Sequence, residues 1–183
     1  RGGRLNACEN AVDRHVRAGH GDRPALVWES DPADADGDSR ERRVLTYGQL
    51  LQRVNACAAA YRRLGLGPGD RIALYLPNMP ETTIAMLAAA RLGIVYTAVF
   101  PGLSAEELRY RIDDLGATLV VTSDVGYRRG EEHAYKTEII DRALEGSAVR
   151  HVLVVDRSGR RAARLAPGRD LWWDDGVSGE HEV

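Results

Sequence analysis

Two short segments carry the side chains best suited to gripping an anion. The first, Ser123-Asp-Val-Gly126-Tyr-Arg128-Arg129-Gly130-Glu131, sets two adjacent guanidinium groups between glycines. A planar guanidinium fits phosphate bidentately, so the loop that carries Arg128, Arg129 and Gly130 is a candidate anion site. The second is Phe100-Pro101-Gly102-Leu103-Ser104. Gly102 lets a ligand approach the backbone, and the helix opened at Ser104 offers its N-terminus to negative charge. An exposed loop and a plain strand-to-helix connection are the competing readings of these same residues.

Other arrangements fail on spacing. Gly65-X-Gly67-X-Gly69 follows a helix and precedes a strand. A dinucleotide loop needs the reverse order, so these glycines read as a helix stop and turn. No Walker A sequence is present. Asp34, Asp36 and Asp38 hint at a calcium loop, but glycine falls at loop position four and Leu45 at position twelve. The histidines are scattered without ligand spacing, and no Ser/His/Asp or Cys/His arrangement is legible.

The elements that must position the two segments can be read from periodicity. Residues 10–18 read as a short helix capped by Asn10. Residues 24–28 and 43–47 read as strands able to pair as a hairpin, with a polar, mobile loop at 29–42. Thr46 and Gln49 form a capping box for a helix that ends at Gly65. Residues 71–76 read as a buried strand, 81–92 as a buried helix behind Pro80, and 94–100 as a second buried strand. Ser104 and Glu107 form another capping box, and Gly116 ends that helix. Strand 117–122, a loop at 123–136, a helix at 137–144 capped by Thr137 and strand 149–155 complete the series. This alternation predicts an α/β fold: a doubly wound, mostly parallel sheet with helices on both faces, plus an N-terminal helix and hairpin. Residues 1–47 form the N-terminal extension and 48–183 the parallel subdomain. Ligands gather at the carboxyl ends of such strands, which is where both candidate segments fall.

Composition excludes several classes. Lys+Arg 25 against Asp+Glu 27 leaves no basic field for nucleic acid. Aromatic residues at 6% offer no base-stacking platform. No apolar run approaches the roughly 20 residues of a membrane span. Cys8 and Cys57 are isolated thiols, which fits a reduced, cytoplasmic setting better than a disulfide framework.

Four segments together resemble the N-terminal part of the short-chain acyl-CoA synthetases, the acetyl-CoA synthetase group of adenylate-forming, AMP-binding enzymes. They are residues 2–15, residues 45–104, Thr122-Ser-Asp-Val-Gly126 and Gly168-Arg-Asp-Leu-Trp-Trp173. The resemblance implies a ligase that joins a carboxylic acid to coenzyme A through an acyl-adenylate, using ATP and Mg. It implies that the segment matching Arg128 to Glu131 contacts the nucleotide end of coenzyme A, and that Phe100 and Gly102 lie against the same adenine. Glu131 stands where the family carries a basic residue, and Pro101 where it carries glycine. The family's phosphate loop, ATP-binding acidic motifs and catalytic lysine are not among these residues. The expectation is therefore a truncated piece with no catalytic residue of its own, inactive alone and partnered by the remainder of the enzyme. A non-catalytic coenzyme A- or nucleotide-binding module, or an interaction domain, is the alternative. Self-association through exposed sheet surface is a further expectation.

Overall fold

The computed structural model describes residues 5–30, 41–128 and 130–177. A π-helical turn, Glu9–Asp13, runs into the short helix α1, Arg14–Arg17. Strands β1, Pro24–Glu29, and β2, Arg42–Thr46, pair antiparallel as the expected hairpin. Most of the polar loop between them, including Asp34, Asp36 and Asp38, lies outside the described residues.

Helix α2, Tyr47–Arg63, starts at the capping box: Gln49 N–H donates to the Thr46 hydroxyl and Gln49 Oε1 accepts from Thr46 N–H. Strand β3, Arg71–Tyr75, leads to α3, Pro80–Leu92, then β4, Val95–Ala98, and α4, Ala105–Leu115. Ser104 and Glu107 cap α4 reciprocally. Next come β5, Leu119–Ser123, β6, Gly126–Arg128, and β7, Glu131–His133. A second π-helical turn, Tyr135–Ile140, continues into α5, Asp141–Ala143. Strands β8, His151–Val155, and β9, Asp170–Trp172, and the short α6, Trp173–Val177, follow.

Five strands form one sheet in the order β4-β3-β5-β8-β9, and every neighbouring pair is parallel. Parallel neighbours need crossovers, and the crossovers cover both faces. Side chains alternate accordingly. Ile72, Leu74, Val121 and Leu153 join α2, α3 and the hairpin in one core. Tyr75, Val120, Val152 and Val154 join α4 and α5 in the other. The cysteines belong to the first core, and burial pushes the Cys57 thiol up to about 12. Among the described residues no helix is long and apolar enough to cross a membrane.

The structure corrects five expectations. Asn6, not Asn10, caps the first helical segment: its Oδ1 accepts from the Cys8 and Glu9 amides at 3.0 and 3.2 Å. The helix expected from Thr137 begins two residues earlier at Tyr135 and is π-helical at first. The strand expected at 94–100 is shorter and lies at the sheet edge, so Val95 is half-exposed rather than buried. The loop expected at 123–136 contains a two-stranded antiparallel ribbon. The tail supplies a fifth strand, β9, that periodicity did not reveal because only three residues long.

That fifth strand is held by charge. Lys136, fully buried, reaches Asp141 at 2.6 Å and Asp170 at 2.8 Å. Arg169 bonds the same two carboxylates, at 2.8 and 2.6 Å. Two cations thus match two anions, with Lys136 and Asp170 buried and Arg169 and Asp141 half-buried at the rim. Burial pushes the Asp170 carboxyl up, but the bonds from Arg169 and Lys136 overcome this and leave it below its ordinary value. Replacing Lys136 with Met is expected to lower unfolding stability by about 3 kcal/mol at neutral pH, read from urea melts. The folded Asp170 carboxyl keeps its charge to lower pH than the unfolded one. Its contribution is therefore full at neutral pH and should fade as pH falls below about 4. An unchanged urea midpoint would show that Arg169 alone holds β9.

Candidate functional site

The sheet has a switch point between β3 and β5. The connection leaving β3 passes over the α3 face, and the one leaving β5 passes over the α5 face. A crevice opens where chains diverge at carboxyl ends. Both candidate segments meet there.

The turn after β4 is fixed from below. Val99 extends the ladder by one bond to Leu74 at 2.8 Å. Beyond it Phe100 is 74% exposed, an unusual position for the chain's single phenylalanine. Gly102 takes φ +135°, a region nearly closed to other residues. The Tyr75 hydroxyl holds this turn: it accepts from Gly102 N–H at 3.2 Å and donates to the Leu103 carbonyl at 3.4 Å. Burial pushes the Tyr75 phenol up, against the opposing pull of the Gly102 N–H.

The segment after β5 is fixed from the side. Asp124 is buried, and its carboxylate accepts from Val125, Arg157, Ser158 and Ala162 N–H at 2.8 to 3.2 Å. The Ser158 hydroxyl adds a bond at 2.5 Å. This carboxylate therefore ties the start of β6 to the connection between β8 and β9. Gly126 lies under the Tyr135 ring, so close that a Cβ there would stand 2.1 Å from a ring carbon. Tyr135 in turn meets Tyr75 edge to face, with centroids 5.4 Å apart.

These supports bring Arg128 against Gly102: a Cβ at Gly102 would lie 3.1 Å from Arg128 Nη1 and 3.6 Å from the Phe100 ring. An open hollow of about 460 Å³ lies on one side of Arg128, lined by Leu76, Pro77, Asn78, Val99, Phe100 and Tyr127. A smaller one of about 200 Å³ lies on the other side, lined by Tyr75, Gly102, His133, Tyr135 and Glu138. Arg128 is exposed and has no ion pair among the described residues. Glu131 is exposed and sits directly across the β6–β7 ribbon from Arg128. Gly130 makes the ribbon's turn at φ +79°. Arg129 lies outside the described residues. Phe100, Gly102 and Arg128 are thus brought together, while Glu131 is placed beside them as a competing carboxylate. Sequence reasoning missed Tyr75, Gly126 as a packing site, and Tyr135. Asp124 and Gly126 stood in a quoted motif, but their work depends on partners more than thirty residues away or on a ring folded back over the glycine.

The described strands define an α/β protein with an open parallel sheet, the class in which ligands bind at the carboxyl-end switch point. More narrowly, the chain belongs to the AMP-binding enzyme family, whose model matches residues 12–179. It is 45% identical over 179 residues to an acetyl-coenzyme A synthetase of Rhodopirellula baltica, covering 97% of this chain and 26% of that protein. It is 47% identical over 176 residues to the acetyl-coenzyme A synthetase of Mycolicibacterium smegmatis, covering 96% and 18%. The Mycobacterium tuberculosis acetyl-coenzyme A synthetase is 49% identical over 174 residues, covering 94% and 26%. The chain therefore spans about a quarter, or less, of the length of these relatives.

Gly102→Ala is expected to cost about 1–2 kcal/mol through backbone strain and to push Arg128 away. Thermal melts and the amide shifts of residues 126–128 would check it. Wild-type stability together with unmoved shifts would mean that the close Gly102–Arg128 approach does not govern the site.

Proposed function

We propose that this chain is the N-terminal portion of an ATP-dependent acyl-CoA synthetase for a short-chain acid such as acetate or propionate. Its part is to help hold the nucleotide end of coenzyme A. The observation that carries this reading is the juxtaposition of Arg128, without an ion pair among the described residues, the side-chain-free Gly102 turn and the exposed Phe100 ring. The donor set fits the group: a guanidinium for phosphate and an aromatic face for adenine. Coenzyme A, when bound, supplies the thiol that accepts the acyl group.

Each residue has a separable task. Arg128 supplies charge and forked donors at the mouth of both hollows. Phe100 offers a face that solvent leaves free. Gly102 removes the side chain that would block Arg128. Glu131 works against the phosphate, since it brings negative charge to the same ribbon. ATP and Mg belong, on this reading, to residues of the whole enzyme beyond these 183. The open β4 edge with its half-exposed Val95 supports the view that the remainder of such an enzyme covers it.

Calorimetric titration of the 183-residue chain with coenzyme A tests the reading. Wild type is expected to bind in the high-micromolar to millimolar range, about 10⁻⁴–10⁻³ M. Arg128→Ala should weaken binding by about tenfold or more, and Glu131→Arg should tighten it about threefold, with a steeper salt dependence. No heat at millimolar ligand, or an Arg128→Ala chain that binds like wild type, would overturn it. The piece alone should release no pyrophosphate from ATP and acetate. A turnover above background would contradict the assignment of adenylation to other residues.

A further inference from the structure

The hairpin at the N-terminus looks peripheral to the sheet, yet its tryptophan reaches the site. Trp28, near the end of β1, is buried, and its indole N–H donates to the Asn78 carbonyl at 2.6 Å. Asn78 lies in the turn after β3 and lines the larger hollow. The face of the same indole carries the Arg157 guanidinium at 5.0 Å from the ring centre. Arg157 also lies over the Tyr127 ring at 5.6 Å, so one planar cation touches two aromatic faces. Tyr127 is the residue before Arg128 in β6.

Further bonds hold the cation in place. Arg157 Nη1 meets Glu41 at 3.3 Å, and its backbone N–H donates to Asp124 at 2.9 Å. Only 13% of its side chain is exposed. Arg43, at 5.4 Å over Trp28, pairs with Glu41 at 2.5 Å and with the buried Glu81 at the start of α3 at 3.2 Å. A continuous path of contacts therefore runs from α3 and the hairpin, through Trp28 and Arg157, to Tyr127 and the strand that presents Arg128.

We infer that Trp28 and Arg157 are positioning residues: the hairpin is a brace that sets the angle at which β6 offers Arg128 to an anion. The role needs an arginine. A guanidinium is flat and can lie against two aromatic faces, whereas an ammonium is a compact, strongly hydrated point charge. Glu41 offsets the charge of Arg157, while Arg128, at the mouth of the hollows, has no ion pair among the described residues. The ligand part of this inference rests on the coenzyme A reading above; the bracing itself does not.

The test uses two variants of the 183-residue chain: Arg157→Lys, which keeps the charge and removes the flat stack, and Tyr127→Leu, which removes one face together with the phenol's 3.0 Å bond to Glu132 and leaves the Asp124 network intact. Tyr127→Phe, which loses that bond alone, is the control and should exchange like wild type. Amide hydrogen exchange of residues 126–133 reports bracing without any ligand, and calorimetry with coenzyme A reports its consequence. Both variants should exchange about fivefold to tenfold faster in 126–133 than wild type, with β3 unchanged and the urea midpoint near wild type. Their dissociation constants for coenzyme A should rise by about the same factor. Wild-type exchange in both variants would overturn the brace, whatever happens to the ligand. Weaker binding with unchanged exchange would overturn it too, because Arg157 would then act on the ligand directly. If wild type binds no coenzyme A, the coenzyme A reading falls, and the exchange arm alone decides the brace.

Discussion

A carboxylate taken out of water must be met by donors, and at Asp124 that requirement organises the whole carboxyl edge of the sheet. Its oxygens accept four backbone amides and one hydroxyl from two separate stretches of chain. An unpaired charge at that depth would cost several kcal/mol, on the order of the stability of a small domain's weakest parts. The end of β5 and the connection after β8 are consequently locked to one another. Everything that follows β5 inherits that position: Gly126 under Tyr135, Tyr127 against Arg157, and Arg128 against Gly102.

The site is built by contacts of three different kinds, each acting on a different loop. A phenol from β3 fixes the Gly102 turn by hydrogen bonds to backbone. Close packing of a ring on Gly126 fixes the start of β6. Cation–π stacking fixes its far end. None of these uses Arg128 itself, and among the described residues no carboxylate pairs with it. That division is what a binding group needs, since a cation already committed to a partner has little left for a ligand. The position of Glu131 also follows from the ribbon. The ribbon folds it back across from Arg128 rather than letting it trail into solvent as the next loop residue.

Membership of the AMP-binding enzyme family and the relatives named acetyl-coenzyme A synthetase agree with this architecture. The charge cluster of Lys136, Arg169, Asp141 and Asp170 is centred on the buried Lys136–Asp170 pair. It ties β9 to the helical segment after β7, so that Tyr135, next in sequence to Lys136, is held from both sides.

Local chemistry was legible in the sequence. Capping boxes at Thr46 and Ser104, the helix-ending glycines Gly65 and Gly116, and the alternation of strands with helices determined the α/β class and the parallel sheet. These features depend on neighbours within four residues or on simple periodicity, and a linear reading sees both. The candidate residues Phe100, Gly102 and Arg128 were also legible, as types suited to an anion at strand ends. Their meeting was not, nor was the edge position of β4, the short β9, or the work of Tyr75, Asp124, Gly126, Trp28 and Arg157. Those depend on strand order and on contacts across tens to more than a hundred residues, and neither leaves a mark on local spacing. The sequence by itself determined which groups were available and roughly which end of the sheet they faced. Only the tertiary structure decided that, among the described residues, Arg157 finds a carboxylate and two aromatic faces while Arg128 has no ion pair, because those partners are brought together only once the chain is packed.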